Sequence, residues 1–284
     1  MEAQLEQIRE QQKETWNRFS AGWRKWDSFT MNWLRPMGEE IIRALHLRPT
    51  DVVLDVAAGT GEPGLSIAGL TRQGHVVITD LAEQMLAVAR ENATRRGIRN
   101  YETVACDVCE LPFADASFDA VSCRFGFMFF PDMELAAREM VRVLKPGGRL
   151  AAAVWGPPDQ NVWVTAIMGT IGRHLALPAP APGAPGMFRC GSPDFLAELF
   201  RKAGLQHVAE KPLRGQLRCG SNDNYWQLMN DVAAPVVGAL SQTDAATKEK
   251  IRQEVYATID QHYPAAHTTA LDYGALVVSG EKPA

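Results

Sequence analysis

The chain has 284 residues, 46% of them apolar and 22% charged, and a formal charge of −4. These values suit one large α/β domain or two small ones and argue against a nucleic-acid partner, which needs a broad basic surface. No apolar run is long enough to span a bilayer, and the polar, charged N-terminus has no signal-peptide core.

Residues 1–20 read as a helix with Leu5, Ile8, Trp16 and Phe19 along one stripe, and residues 16–34 carry four tryptophans, Trp16, Trp23, Trp26 and Trp33. Residues 1–35 are expected to form a helical flap over a ligand pocket, where aromatic faces suit flat or cationic groups, the alternative being an amphipathic helical pair packed on the domain. A separate helix over 36–47 leads into Val52-Val53-Leu54-Asp55-Val56, a β-branched run that reads as a buried strand. Ala57-Ala58-Gly59-Thr60-Gly61-Glu62-Pro63-Gly64 then forms a small-residue turn ahead of a helix starting at Leu65. A second strand, Val76–Thr79, ends on Asp80, and a helix containing Leu81 and Met85 runs to about Arg95. A third strand near Tyr101–Ala105 exits at Asp107-Val108, and a fourth covers Ala120–Cys123. The helix over residues 136–145 stops at Pro146-Gly147-Gly148, before the strand Leu150–Trp155.

Beyond residue 156 a helix is expected over Asn161–Leu175. Residues 176–187 follow as a linker or lid loop, with four prolines in twelve positions. A helix over Ser192–Ala203, a strand over His207–Gly215, two helical stretches in 221–262 and a last strand within Ala270–Gly280 complete the chain. Strand–helix alternation from residue 52 to 155 predicts a parallel sheet with right-handed crossovers, whose ligands sit outside the strands' carboxyl ends.

The five cysteines, an odd number without a small-scaffold pattern, read as reduced thiols in a cytoplasm. Cys106-x-x-Cys109 has no second Cys/His pair to make a zinc site, and no metal is expected. Gly59, Gly61 and Gly64 satisfy the G-x-G-x-x-G pattern of dinucleotide folds. Here, however, Asp55 sits where strand gives way to loop, and a carboxylate beside a pyrophosphate would repel it. A ligand with a cationic amino-acid end suits that loop better. Asp80, one β-α unit on, can accept from both ribose hydroxyls, and Asp107 from an adenine amine, with Val108 offering a backbone N–H.

Asp55-x-Ala57-x-Gly59-x-Gly61 resembles the first motif of class I S-adenosylmethionine (SAM) dependent methyltransferases. Leu-Asp-Val-Ala-Ala-Gly-Thr-Gly is similar to the ubiquinone/menaquinone-biosynthesis group within them, as are Leu111–Gly126 and Ala136–Leu150. The resemblance covers about residues 40–156 and, more weakly, the final strand. It implies a Rossmann-like α/β fold, a mostly parallel seven-stranded sheet with an antiparallel last strand and helical cap insertions over 157–190 and 221–262, in one methyltransferase domain spanning 1–284. It further implies SAM as cofactor, S-adenosylhomocysteine as product, and a small-molecule acceptor; a homodimer is compatible with it.

Carried over residue by residue, Asp55, Ala57, Gly59, Thr60 and Gly61 would shape the methionine end of the pocket. Asp80, Leu81 and Met85 would hold the ribose side, and Asp107 and Val108 the adenine. Arg124 stands where the quinone-pathway enzymes have a small hydroxyl residue, a departure at the pocket itself. The acceptor side is expected to be apolar and aromatic, resting on Trp155, Met187, Phe188, Trp226 and Met229, with Trp26 and His174 as further candidates. No catalytic base is assigned, because in-line attack on a sulfonium methyl depends mainly on holding the reacting atoms in place. Two rivals stay open: a NAD-dependent oxidoreductase, and a SAM-binding protein that transfers no methyl group.

Overall fold

The computed structural model describes residues 2–177, 184–241, 243–262 and 269–284. Its centre is a seven-stranded sheet: β1 (Val52–Val56), β2 (His75–Asp80), β3 (Tyr101–Ala105), β4 (Phe118–Arg124), β5 (Leu144–Trp155), β6 (Gln206–Arg218) and β7 (Ala270–Glu281). The strand order is β3-β2-β1-β4-β5-β7-β6, with β7 antiparallel to both neighbours and the other pairings parallel. Strands covered on both faces need apolar side chains throughout, so Val53, Leu54 and Val56 of β1 are almost wholly buried. The order reverses between β1 and β4, and a crevice opens outside their carboxyl ends at that switch. This is the mostly parallel, Rossmann-like architecture with a reversed last strand that the sequence predicts.

Helices cover the sheet: α3 (Gly64–Leu70), α4 (Glu83–Arg96), α5 (Met133–Val143), α6 (Val162–His174) and α7 (Phe195–Lys202) follow in chain order after α1 (Glu2–Lys25) and α2 (Asp27–Leu45). Among its described residues the insertion before β7 holds three helices, α8 (Asn222–Val232), α9 (Ala234–Leu240) and α10 (Ala245–His262), rather than two. At the N-terminus the expected break between residues 35 and 36 is also absent. Helix α2 runs straight through Pro36, because the burial of Trp33, Leu34, Met37 and Ile41 outweighs the one hydrogen bond that proline forfeits. Strand β5 starts at Leu144, earlier than expected, and Pro146-Gly147-Gly148 lie within its span as an irregularity opposite Phe118–Ala120. Of the proline-rich stretch, residues 178–183 lie outside the described residues, as do Tyr263 and His267.

Helix α1 lies against α4 and α8. Arg24 pairs with Glu91 at 2.8 Å, Lys25 with Asp231 at 2.7 Å, and the Gln84 N–H donates to Asn17 Oδ1 at 3.0 Å. Gly22 makes the approach to α8 possible, since a Cβ there would stand 2.0 Å from the Asp231 carbonyl oxygen. Among the described residues no helix is long and apolar enough to cross a membrane.

Candidate active site

The glycine turn after β1 is built by hydrogen bonds that leave it little freedom. Ala58 N–H donates to Thr79 O (2.9 Å), Gly61 N–H to Ala58 O (2.9 Å) and Gly59 N–H to Asp80 Oδ2 (2.9 Å). Ala57 takes φ +52°, Gly59 +56° and Gly61 +105°. Alanine tolerates the left-handed region only at a cost, and the surrounding bonds hold it there. From the side, Asn92 of α4 donates to the Thr60 carbonyl at 2.9 Å and to Asp27 Oδ1 at 2.9 Å, tying the turn to the start of α2.

Asp55 is the keystone beneath this turn. Its carboxylate is fully buried, accepts from Gly64 N–H (2.7 Å) and Ser122 Oγ–H (2.6 Å), and is pushed up to about 7 by burial, against the pull of those two bonds and of Arg124. It underlies the cavity and does not line it, and Gly61 is likewise turned inward against Leu65 and Ala89. A Cβ at Gly64 would stand 2.7 Å from Asp55 Oδ2 and 3.0 Å from Ile78 Cγ1. Gly64→Ala is therefore expected to destabilise the protein by about 1–3 kcal/mol through overpacking, read as a lowered urea midpoint with unchanged slope.

A cavity opens above the turn at the β1/β4 switch. Its free space, counted out through the mouth into open solvent, is about 1470 Å³. One end is polar. Ala57, Gly59, Thr60, Asp80, Leu81, Met85, Asp107, Val108 and Arg124 of the expected cofactor set line it, joined by Arg9, Glu62 and Cys106. Asp80 Oδ1 accepts from Ala82 N–H at 2.8 Å; with Gly59 on Oδ2, each oxygen keeps a lone pair for a ligand hydroxyl. Burial raises its pKa, opposed by the N–H groups of Ala82, Gly59 and Leu81. Asp107 Oδ1 accepts from Cys109 N–H, and Oδ2 is ion-paired with Arg9 of α1. Glu62 pairs with Arg96. Arg124 donates to Leu34 O at a long 3.4 Å, and burial lowers its pKa while Glu62, Asp55 and Asp27 raise it.

The other end is aromatic. Trp155 at the end of β5 stacks on Phe125 (4.2 Å, 17°) and on Trp33 of α2 (5.6 Å, 26°). Trp163 meets Trp33 edge-on at 4.7 Å. Phe125 holds φ +64°, a strained backbone just where β4 delivers its ring to the wall. Trp16 and Trp23 of α1, Met187, and residues 232–235, where α8 ends and α9 begins, close the chamber.

Of the expected acceptor residues, Trp155 and Met187 reach this wall. Trp26 does not: its indole N–H donates to Asp231 at 2.7 Å at the junction with α8. His174 pairs with Glu254 of α10 at 2.6 Å, away from the cavity. Trp226 and Met229 are buried within the α8 packing, and Phe188 also lies off the wall. Trp33, named in the expected flap, does reach the cavity; the sequence reading missed Trp163, Phe125, Arg9 and Glu62. Burial pushes the Cys106 and Cys109 thiols up to about 12, so neither is a ready thiolate. Among the described residues no group of three or more His, Cys, Asp or Glu side chains could hold a metal ion.

A doubly wound sheet with a reversed last strand, a glycine turn carrying Glu62 and a carboxylate at the end of β2 defines a nucleoside-binding fold of the SAM-dependent methyltransferase class. Asp80's spare lone pairs match a ribose diol, and the Glu62/Arg124 end offers both charges to an amino-acid moiety. Residues 53–148 match the family model described as "Methyltransferase domain". The chain is 34% identical to demethylmenaquinone methyltransferase of Listeria monocytogenes over 186 residues, 60% of this chain and 76% of the relative. Among solved structures, the YcgJ protein of Bacillus subtilis superposes with a TM-score of 0.60 at 19% identity, covering 88% of this chain and 99% of that one. A phosphoethanolamine N-methyltransferase of Haemonchus contortus, in complex with S-adenosylhomocysteine, does so at 0.53 and 17%, covering 88% and 53%. The chain belongs to the class I SAM-dependent methyltransferases, in the group of the quinone-biosynthesis enzymes. SAM is its cofactor.

Proposed function

We propose that this enzyme transfers the methyl group of SAM to a small, largely apolar, ring-bearing acceptor held in the aromatic half of the cavity. The observation that carries this reading is the Phe125–Trp155–Trp33 stack facing the polar end across one continuous space. Flat aromatic walls favour flat apolar guests through burial and offset stacking. The relatives' name, demethylmenaquinone methyltransferase, supports a ring-bearing acceptor, while the helical insertion before β7 argues against carrying over that particular substrate.

Within the polar end, Asp80 holds the ribose, Asp107 and Val108 the adenine, and Glu62 with Arg124 the charged methionine end. Bound there, SAM supplies an activated methyl group. The chain's own work is to align the acceptor, exclude water and keep charges matched. Among the described residues no histidine lines the cavity, and Glu62 and Asp107 are engaged by Arg96 and Arg9. Transfer therefore rests on near-attack placement, with O-, C- or N-atoms as recipients. Helix α1 and the α8–α9 segment act as flap and cap.

Incubation of the enzyme with SAM and a cell metabolite extract, followed by mass spectrometry, tests this. New species one CH2 heavier are expected in the organic-extractable fraction, matched by S-adenosylhomocysteine formation. Methylation confined to highly charged, water-soluble acceptors would defeat the reading.

A further inference from the structure

The adenine end of the cavity is already claimed by the protein itself. Of the two carboxylate oxygens of Asp107, at the exit of β3, Oδ1 accepts from the Cys109 N–H at 2.9 Å. Oδ2 meets the Nε of Arg9, which helix α1 brings to the cavity wall. That contact is ionic only. Both atoms are shut away from solvent, yet neither is aligned with the other, or with any further group, as a hydrogen bond. A buried donor and acceptor without aligned partners cost free energy, and a charged acceptor gains most from a donor pointed straight at it. Asp107 Oδ2 is therefore held by a partner that a better-aimed N–H would displace.

Arg9 has somewhere else to go. Glu6 lies one turn back on α1 and already touches it, and 29% of the Arg9 side chain is open to water. Asp107 is only 14% exposed. The later part of α1 is fastened independently, by Asn17 to Gln84, Arg24 to Glu91 and Lys25 to Asp231. Among the described residues, Arg9–Asp107 is the one ion pair that joins residues 2–16 to the rest of the chain. Resting on the placement of adenine at Asp107 above, we propose that Arg9 is a gate on the adenine subsite, exchanged for the cofactor's amine. The amine takes Asp107 Oδ2 from Arg9, which turns to Glu6 and solvent, and the first turns of α1 leave the sheet rim as the cofactor enters. Departure of the product restores the pair, so the empty site keeps its acid neutralised and the helix in place. A purine without the amine has no donor with which to displace Arg9, and the gate adds to the selection of adenine.

The test titrates the full-length enzyme, by calorimetry, with S-adenosylhomocysteine and with its 6-deamino analogue, in which hydrogen replaces the adenine amine. In Arg9→Ala, S-adenosylhomocysteine is expected to bind about fivefold tighter than in the wild type, the scale of one partly exposed ion pair removed from competition. The analogue is expected to bind no tighter. The gap between variant and wild type is expected to close as salt is raised, because screening weakens the competing pair in the wild type alone. Arg9→Lys, which keeps the charge, is expected to stay near the wild type. Weaker binding of S-adenosylhomocysteine in Arg9→Ala would make Arg9 a holder of adenine and overturn the proposal. So would an equal gain for both ligands, the mark of simple obstruction, or no change at all while the amine is still preferred. Failure of the underlying placement reads differently: an Arg9→Ala enzyme that binds both ligands equally well has no use for the amine, and then Asp107 is not its acceptor and both readings fall.

Discussion

Asp80→Ala is expected to weaken S-adenosylhomocysteine binding at least 100-fold, read by titration calorimetry. Two losses combine. The ribose hydroxyls lose a charged acceptor, where each such bond is worth about 1.5–3 kcal/mol. The glycine turn also loses the carboxylate that holds the Gly59 N–H at 2.9 Å and the Ala82 N–H at 2.8 Å. Asp80→Asn keeps one acceptor oxygen and is expected to lose only about tenfold, since a neutral bond replaces a charge-assisted one. Undiminished binding in the alanine variant would remove the cofactor from the β2 end of the cavity. Because burial raises the Asp80 pKa, acidification discharges it earlier than an ordinary aspartate, and the affinity falls from the acid side accordingly.

The second large effect concerns stability. Asp55 titrates at about 7 in the folded protein against 3.8 for an ordinary aspartate, with burial as the main cause. Between those values the folded chain holds a proton that the unfolded chain has released. Its contribution to stability therefore falls as pH rises, by about 1.4 kcal/mol per unit, and levels off above the folded value. Asp55→Asn removes this slope and keeps an acceptor for the Gly64 N–H. From pH 4.5 to pH 6.5 the unfolding free energy of the wild type, relative to the asparagine variant, is expected to drop by roughly 2–3 kcal/mol in urea titrations. A difference that stays flat over this window would show that Asp55 is ionised throughout. Ionisation would set an unsolvated charge beneath the turn, so the folded turn is held more firmly in mildly acidic solution than at neutrality.

What the chain disclosed in advance was local. The β-branched run into Asp55 and the acids at Asp80 and Asp107 are each contained within a few residues, and short-range patterns of that kind set strands, turns and their order. Side-chain destinations were less accessible. Trp26 and Trp33 both sit in the aromatic N-terminal stretch. One gives its N–H to Asp231, 205 positions away, and the other faces the cavity. His174 was expected on the acceptor side, but Glu254, 80 positions on, holds it away from the cavity. Asp55 has the right neighbours in sequence for a ligand contact. Its hydrogen bond to Ser122 comes from the adjacent strand, a pairing that only the register of β1 against β4 fixes. Helix α2 passing through Pro36 was hidden for the same reason, since its buried face packs against β4, β5 and β7.

The contact at Gly22 bears on how the active centre comes into being. Wall residues run from Arg9 near one end of the polypeptide to Pro235 far towards the other, and the two extremes meet where α1 touches the Asp231 backbone without an intervening side chain. A nascent chain that has emerged only as far as β5 owns the nucleoside rim but neither the roof nor the far side. The chamber is complete only where the first helix meets a partner 206 residues on, Lys25 against Asp231.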